Sequence, residues 1–183
     1  SIEDRIRELE KRLEKVLREI EEHSKKVVRE AEKVLREIEE NSRRNNKRLE
    51  EVLDEIRKRP VDETLVREVE EAVRRLKKHN KDSSDTARKL VEELKKELKE
   101  SSDRVRKVVE ELKDRLRKVL EKGGEEDVRK VRDHMVLHEY VNAAGITDVV
   151  RRLKEVLKEL RKHNKRSLDE SEKVLRELRE RIR

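Results

Sequence analysis

Apolar residues in this chain recur every three or four positions along three long stretches, with groups of polar residues set into the rhythm and two short loop signals separating the stretches. From Ile2 through Ile6, Leu9, Leu13, Val16, Leu17 and Ile20, then from Val27 to Ile38 and from Leu49 to Ile56, the spacing keeps one face of a 3.6-residue helix apolar. The stripe is about three positions wide per heptad, broader than the two-position seam of a two-stranded coiled coil, and suits the core of a bundle. The first stretch stops at Arg59-Pro60, because the residue before a proline is driven out of helical geometry.

A second helix is expected to start beside Asp62, a good N-cap, and to carry its stripe from Leu65 to Leu120. Gly123-Gly124 should end it with a left-handed C-cap. A third opens on Glu125, Glu126 and Asp127, acids favoured by the helix dipole, and continues to the C-terminus. Ser1 with Asp4 resembles a capping box at the start of the first. The expected fold is all-α: one up-down-up bundle over residues 1–183, with long antiparallel helices at about 2–58, 62–121 and 125–182.

Composition narrows the function classes. Charged residues make up 54% of the chain, yet the regular apolar spacing argues against disorder. There is no cysteine, hence no disulfide or thiolate chemistry. No apolar run nears the roughly 20 residues needed to span a bilayer, so a soluble chain that makes no membrane contact is expected. The net charge of +7 is the difference between 53 basic and 46 acidic residues mixed along every helix, without the basic clusters and aromatic platforms of nucleic-acid binders.

Polar residues interrupt the stripe in groups: His23 and Ser24; Asn41, Ser42 and Asn45; His79, Asn80, Ser83 and Ser84; Ser101 and Ser102; His163, Asn164, Ser167 and Ser171. Folding the chain up, down and up brings the Asn41, His79 and His163 groups to one level and the His23 and Ser101 groups to another. Each level is expected to form a buried hydrogen-bond network that fixes register and partner choice. A slender bundle offers little pocket volume, so neither catalysis nor a metal or cofactor is expected at these groups. Matched helix lengths, minimal loops and layered polar groups together resemble computationally designed helical bundles with buried hydrogen-bond networks. That likeness implies a synthetic protein with no natural compartment, cytoplasmic when expressed recombinantly.

One segment breaks the pattern. Arg132, Asp133, His134, Met135, Val136, Leu137, His138, Glu139, Tyr140, Val141, Asn142, Ala143, Ala144, Gly145, Ile146 and Thr147 include the chain's one Met, its one Tyr and two of its five His. If the third helix continues through them, Met135, Val136, Ala143 and Ile146 should face the core together with polar Glu139 and Asn142, while Leu137, Tyr140, Val141 and Ala144 face out. Helix propensity is poor, a local penalty on the order of 3 kcal/mol, with Gly145 the largest contributor. Read as a strand, Leu137, Glu139, Val141 and Ala143 share one face, and His138, Tyr140 and Asn142 the other.

These sixteen residues resemble the eleventh β-strand of the green fluorescent protein family, in the form used as the small fragment of the split reporter. The likeness covers under a tenth of the chain. It implies a partner, the ten-strand barrel fragment, and for Glu139 an inherited place in the chromophore's proton network once complementation has occurred. The chromophore-forming residues and the other ten strands are not in this sequence, so the chain should not fluoresce alone. The segment spans about 24 Å as a helix and about 53 Å as a strand. It therefore cannot join a barrel while the third helix stays intact and docked. The expectation is a scaffold that cages the peptide, resembling latch-and-cage designed switches, with an opening or fourth helix as a further partner. The alternative is a structural bundle, or one subunit of a three-plus-one heterodimer, in which the peptide is only an accessible detection tag.

Overall fold

The computed structural model describes residues 1–182, with side chains given outside residues 137–144. It is an all-α helical bundle, and the described residues contain three helices: α1 (Ile2–Lys58), α2 (Glu63–Lys122) and α3 (Glu125–Ile182). They hold 57, 60 and 58 residues.

The helix ends follow from local chemistry. Ser1 Oγ accepts from the Asp4 N–H at 3.3 Å and donates to the Asp4 carboxylate at 3.0 Å, so the first turn of α1 is capped by a side chain. Asp62 Oδ1 accepts from the Thr64 N–H at 3.3 Å at the start of α2. The Gly123-Gly124 loop departs from expectation, since neither glycine has a positive φ. What excludes a side chain at Gly123 is crowding: its N–H donates to Val119 O at 2.7 Å, and a Cβ there would lie 2.9 Å from that same oxygen. Gly124 then serves as the N-cap of α3. Its carbonyl accepts from the Asp127 N–H at 3.1 Å, and its own N–H donates to Asp127 Oδ2 at 3.3 Å.

The chain divides into two compact units, each containing a stretch of all three helices. The first comprises Ser1–Arg29 with Glu93–Lys154. Its interior is built from Ile6, Leu9, Leu13 and Val27 of α1; Leu98, Val105, Val109, Leu112 and Leu116 of α2; and Val128, Val131, Met135, Ile146, Val149 and Leu153 of α3. Glu14 pairs with Lys113 at 3.4 Å and Glu21 with Arg106 at 2.7 Å. The residue numbers add to 127 in both pairs, so α2 runs against α1. Arg5 meets Glu125 at 3.8 Å and Arg152 meets Glu97 at 3.2 Å, setting α3 alongside α1 and against α2.

The second unit comprises Glu30–Glu92 with Glu155–Arg183. Leu49, Val52, Leu53 and Ile56 of α1, Val69 and Val73 of α2, and Leu175, Leu178 and Ile182 of α3 form one buried cluster. Each fully buried aliphatic side chain contributes about 1.5–3 kcal/mol. Arg57 pairs with Glu70 at 3.5 Å, again with numbers adding to 127, and Arg48 grips Glu172 through both guanidinium nitrogens, one at 3.0 Å. Arg59 donates to the Ile182 carbonyl at 2.9 Å. The C-terminal end of α3 is therefore held by packing, by an ion pair and by a backbone contact.

Candidate functional site

Residues 132–147 lie within α3, whose backbone runs as one helix from Glu125 to Ile182. Flanking sequence is the reason: Val128 and Val131 precede the segment and Val149, Val150 and Leu153 follow it, all buried, and all in one helical register. Met135 is buried (1% exposed) and so is Ile146 (5%). They are the only two buried among the segment's eight residues with described side chains. Val136 is a correction. Expected to face inward, it is 50% exposed, because it sits 100° beyond Met135 and the next core slot falls further along the helix. Arg132, Asp133, Gly145 and Thr147 are exposed and His134 is half-buried. The expectations for Leu137, His138, Glu139, Tyr140, Val141, Asn142, Ala143 and Ala144 concern side chains outside the described residues.

A Cβ added at Gly145 meets nothing within 4 Å among the described residues. The cost of this glycine to the helix is one of propensity, about 1 kcal/mol relative to Ala. Immediately after the segment, Asp148 accepts from Arg151 at 2.8 Å, and that hydrogen bond holds its carboxyl below the usual carboxylate range. An acid one turn before a base strengthens the helix just where residues 132–147 end.

The polar groups divide by exposure. Ser24, Asn45, Asn80 and Ser171 are buried, and Asn41, Ser42, Ser83, Ser84, Ser101, Ser102, Asn164 and Ser167 are half-buried. His23, His79 and His163, expected inside the networks, are all exposed. The reason is angular. Each histidine immediately precedes the Ser or Asn that takes the core-facing slot (Ser24, Asn80, Asn164), and consecutive helical residues differ by 100°.

In the second unit, Asn41, Ser42 and Asn45 of α1, Asn80, Ser83 and Ser84 of α2, and His163, Asn164 and Ser167 of α3 line one cleft with a volume of about 30 Å³. That is room for about two waters. Residues of all three groups are thus brought together in this unit. Its direct bond is one that sequence reasoning missed, from Asn80 Nδ2 to Asn46 Oδ1 at 2.9 Å. Asn46 was legible only as the second half of an Asn-Asn doublet, and which of the two meets α2 depends on register.

In the first unit the polar level is thinner. Among the described residues, Ser24 Oγ and Ser102 Oγ are buried and find no hydrogen-bond partner, as is true of Ser84 Oγ in the second unit. Ser101 Oγ accepts from its own helix, from Arg104 at 3.3 Å.

No protein family, curated protein or solved structure matches this chain. No helix among the described residues is long and apolar enough to cross a membrane. No group of three or more His, Cys, Asp or Glu side chains among them could hold a metal.

Proposed function

We propose that this chain is a designed helical scaffold that cages a barrel-completing peptide, residues 132–147, by holding it as part of α3. The supporting observation is the continuity of α3 from Glu125 to Ile182 through a segment that must become an extended strand to complete a barrel. A change from about 24 Å to about 53 Å is incompatible with keeping both flanks docked. Met135 and Ile146 anchor the segment near its two ends, and Leu175, Leu178 and Ile182 fix the distal part of α3 in the second unit. Complementation is thus coupled to undocking the proximal part of α3, and its rate reports whatever favours that undocking. The scaffold performs no reaction of its own; fluorescence belongs to the barrel fragment, with Glu139 as the residue carried into it.

The alternative, a structural bundle or three-plus-one subunit with an accessible tag, draws support from the same segment. Only two of its eight described side chains are buried, and Val136 is half in solvent.

Fluorescence recovery after mixing with excess ten-strand fragment, with and without a helix-3 peptide lacking the segment, separates the two. Caging requires recovery slower than that of the free sixteen-residue peptide and faster when the helix is added. Recovery at the free-peptide rate in both mixtures establishes the tag.

A further inference from the structure

We propose that His79 of α2 and His163 of α3 together form a binding site for one divalent transition-metal ion, of the nickel, cobalt, copper or zinc class, within the second unit. The site is independent of the reporter reading.

The two imidazoles face each other across the α2/α3 contact with ring centres 6.4 Å apart and planes tilted by 58°. This is neither a stack nor a hydrogen-bonded pair. A metal held by one nitrogen of each ring at about 2.0–2.1 Å places the ring centres about 5–6.5 Å apart, depending on the angle at the metal. The observed spacing lies at the upper end of that window, which corresponds to two imidazoles on opposite sides of the ion; a smaller angle at the metal requires the rings to close by about 1 Å. Both side chains are exposed, so a small χ adjustment and the entry of the ion meet no packed barrier.

Two imidazoles leave the remaining coordination positions to water, which makes this an open site that still needs the pair to chelate. Imidazole suits nickel, cobalt, copper and zinc, whereas magnesium and calcium require oxygen ligands. The surrounding charge is mainly basic: Lys78 and Lys162 adjoin the histidines, Lys162 lies 3.9 Å from Glu159, and Asp82 is three residues beyond His79. Bases outnumber acids around both histidines, Arg75, Lys77, Lys78 and Lys81 against Asp82 and Arg161, Lys162, Lys165 and Arg166 against Glu159, so the field opposes a dication and the imidazoles alone must supply the affinity. Because the ligands come from two helices about 84 residues apart in sequence, the unfolded chain does not present them together. Binding therefore favours the folded second unit and joins α3 to α2.

Unfolding of the full chain in guanidinium, followed by circular dichroism with Ni²⁺, Co²⁺ or Mg²⁺ at rising concentration and EDTA as reference, tests the site. Expected is a midpoint that climbs with Ni²⁺ and less with Co²⁺, and not at all with Mg²⁺. The folding constant gains about tenfold for each tenfold rise in free metal above Kd. His79→Ala and His163→Ala each abolish the effect, and the double variant loses no more than either single one, whereas His23→Ala retains it. The proposal is overturned if millimolar Ni²⁺ moves nothing. It is equally overturned if the shift survives either single substitution, which marks binding elsewhere, at the N-terminus or at His134 and His138, four apart in sequence.

Discussion

Asn80 of α2 donates from Nδ2 to Asn46 Oδ1 of α1 across 2.9 Å, and Asn80 is 6% exposed. A buried amide is stabilising only while its partner is present, so Asn80→Ala removes the bond and leaves a small hole beside Asn46. The expected loss is about 1–2 kcal/mol, read as a lower guanidinium midpoint at unchanged slope.

Ser24 and Ser102 present the opposite case. Their hydroxyls are buried with no hydrogen-bond partner among the described residues, so replacing either with Ala deletes a desolvated polar group without breaking a bond seen there. Ser24→Ala and Ser102→Ala should leave stability unchanged or raise it by up to about 1 kcal/mol. A loss of more than that in chemical denaturation would show that these hydroxyls are engaged after all.

Gly145→Ala should stabilise α3 by about 1 kcal/mol, because the added methyl meets nothing within 4 Å among the described residues and backbone freedom is removed. On the caging reading, complementation slows about fivefold relative to a free peptide carrying the same change. That comparison cancels any effect of the methyl on barrel formation itself.

Met135→Ala works in the other direction. Met135 is 1% exposed, and truncating a buried side chain of this size costs about 2–5 kcal/mol. Weaker docking of the proximal part of α3 should accelerate fluorescence recovery toward the free-peptide limit, and the thermal midpoint should fall in parallel.

Acid should weaken the tie between Arg48 and Glu172. The hydrogen bond from Arg48 chiefly, aided by the charges of Arg48, Arg176 and Arg179 and opposed by desolvation, lowers the Glu172 pKa from its ordinary 4.5. A carboxyl whose folded pKa is depressed stabilises the fold above its unfolded value and loses that contribution as pH falls through the folded one. Between pH 7 and 5 the contribution stays constant; below 4.5 it declines. Both side chains are partly exposed, which limits the pair to about 0.2–1 kcal/mol. Glu172→Gln should show that deficit in urea midpoints at pH 7, with the gap to the parent closing in acid.

Sequence alone determined the helices of this protein and their ends. Period and punctuation are local quantities: a stripe repeating every three to four residues, a proline at 60, a Ser1/Asp4 cap and a two-glycine break act within a turn of where they occur. Whether α3 continues through a segment of poor propensity was not legible, since a local cost of about 3 kcal/mol had to be weighed against the packing of its flanks, and the structure carries the helix through. Tertiary structure decided how the helices meet. A 100° step between neighbours turned Ser24, Asn80 and Asn164 toward the interior and left His23, His79 and His163 outside, although each pair is adjacent in sequence. Register between helices selected Asn46 rather than Asn45 as the partner of Asn80. It also brought His79 to within 6.4 Å of His163, a proximity that no spacing along one helix encodes. Crowding against Val119, not handedness, set the requirement for glycine at 123. Each of these depends on rotation and offset between helices distant in the chain, which the packing of many side chains at once fixes.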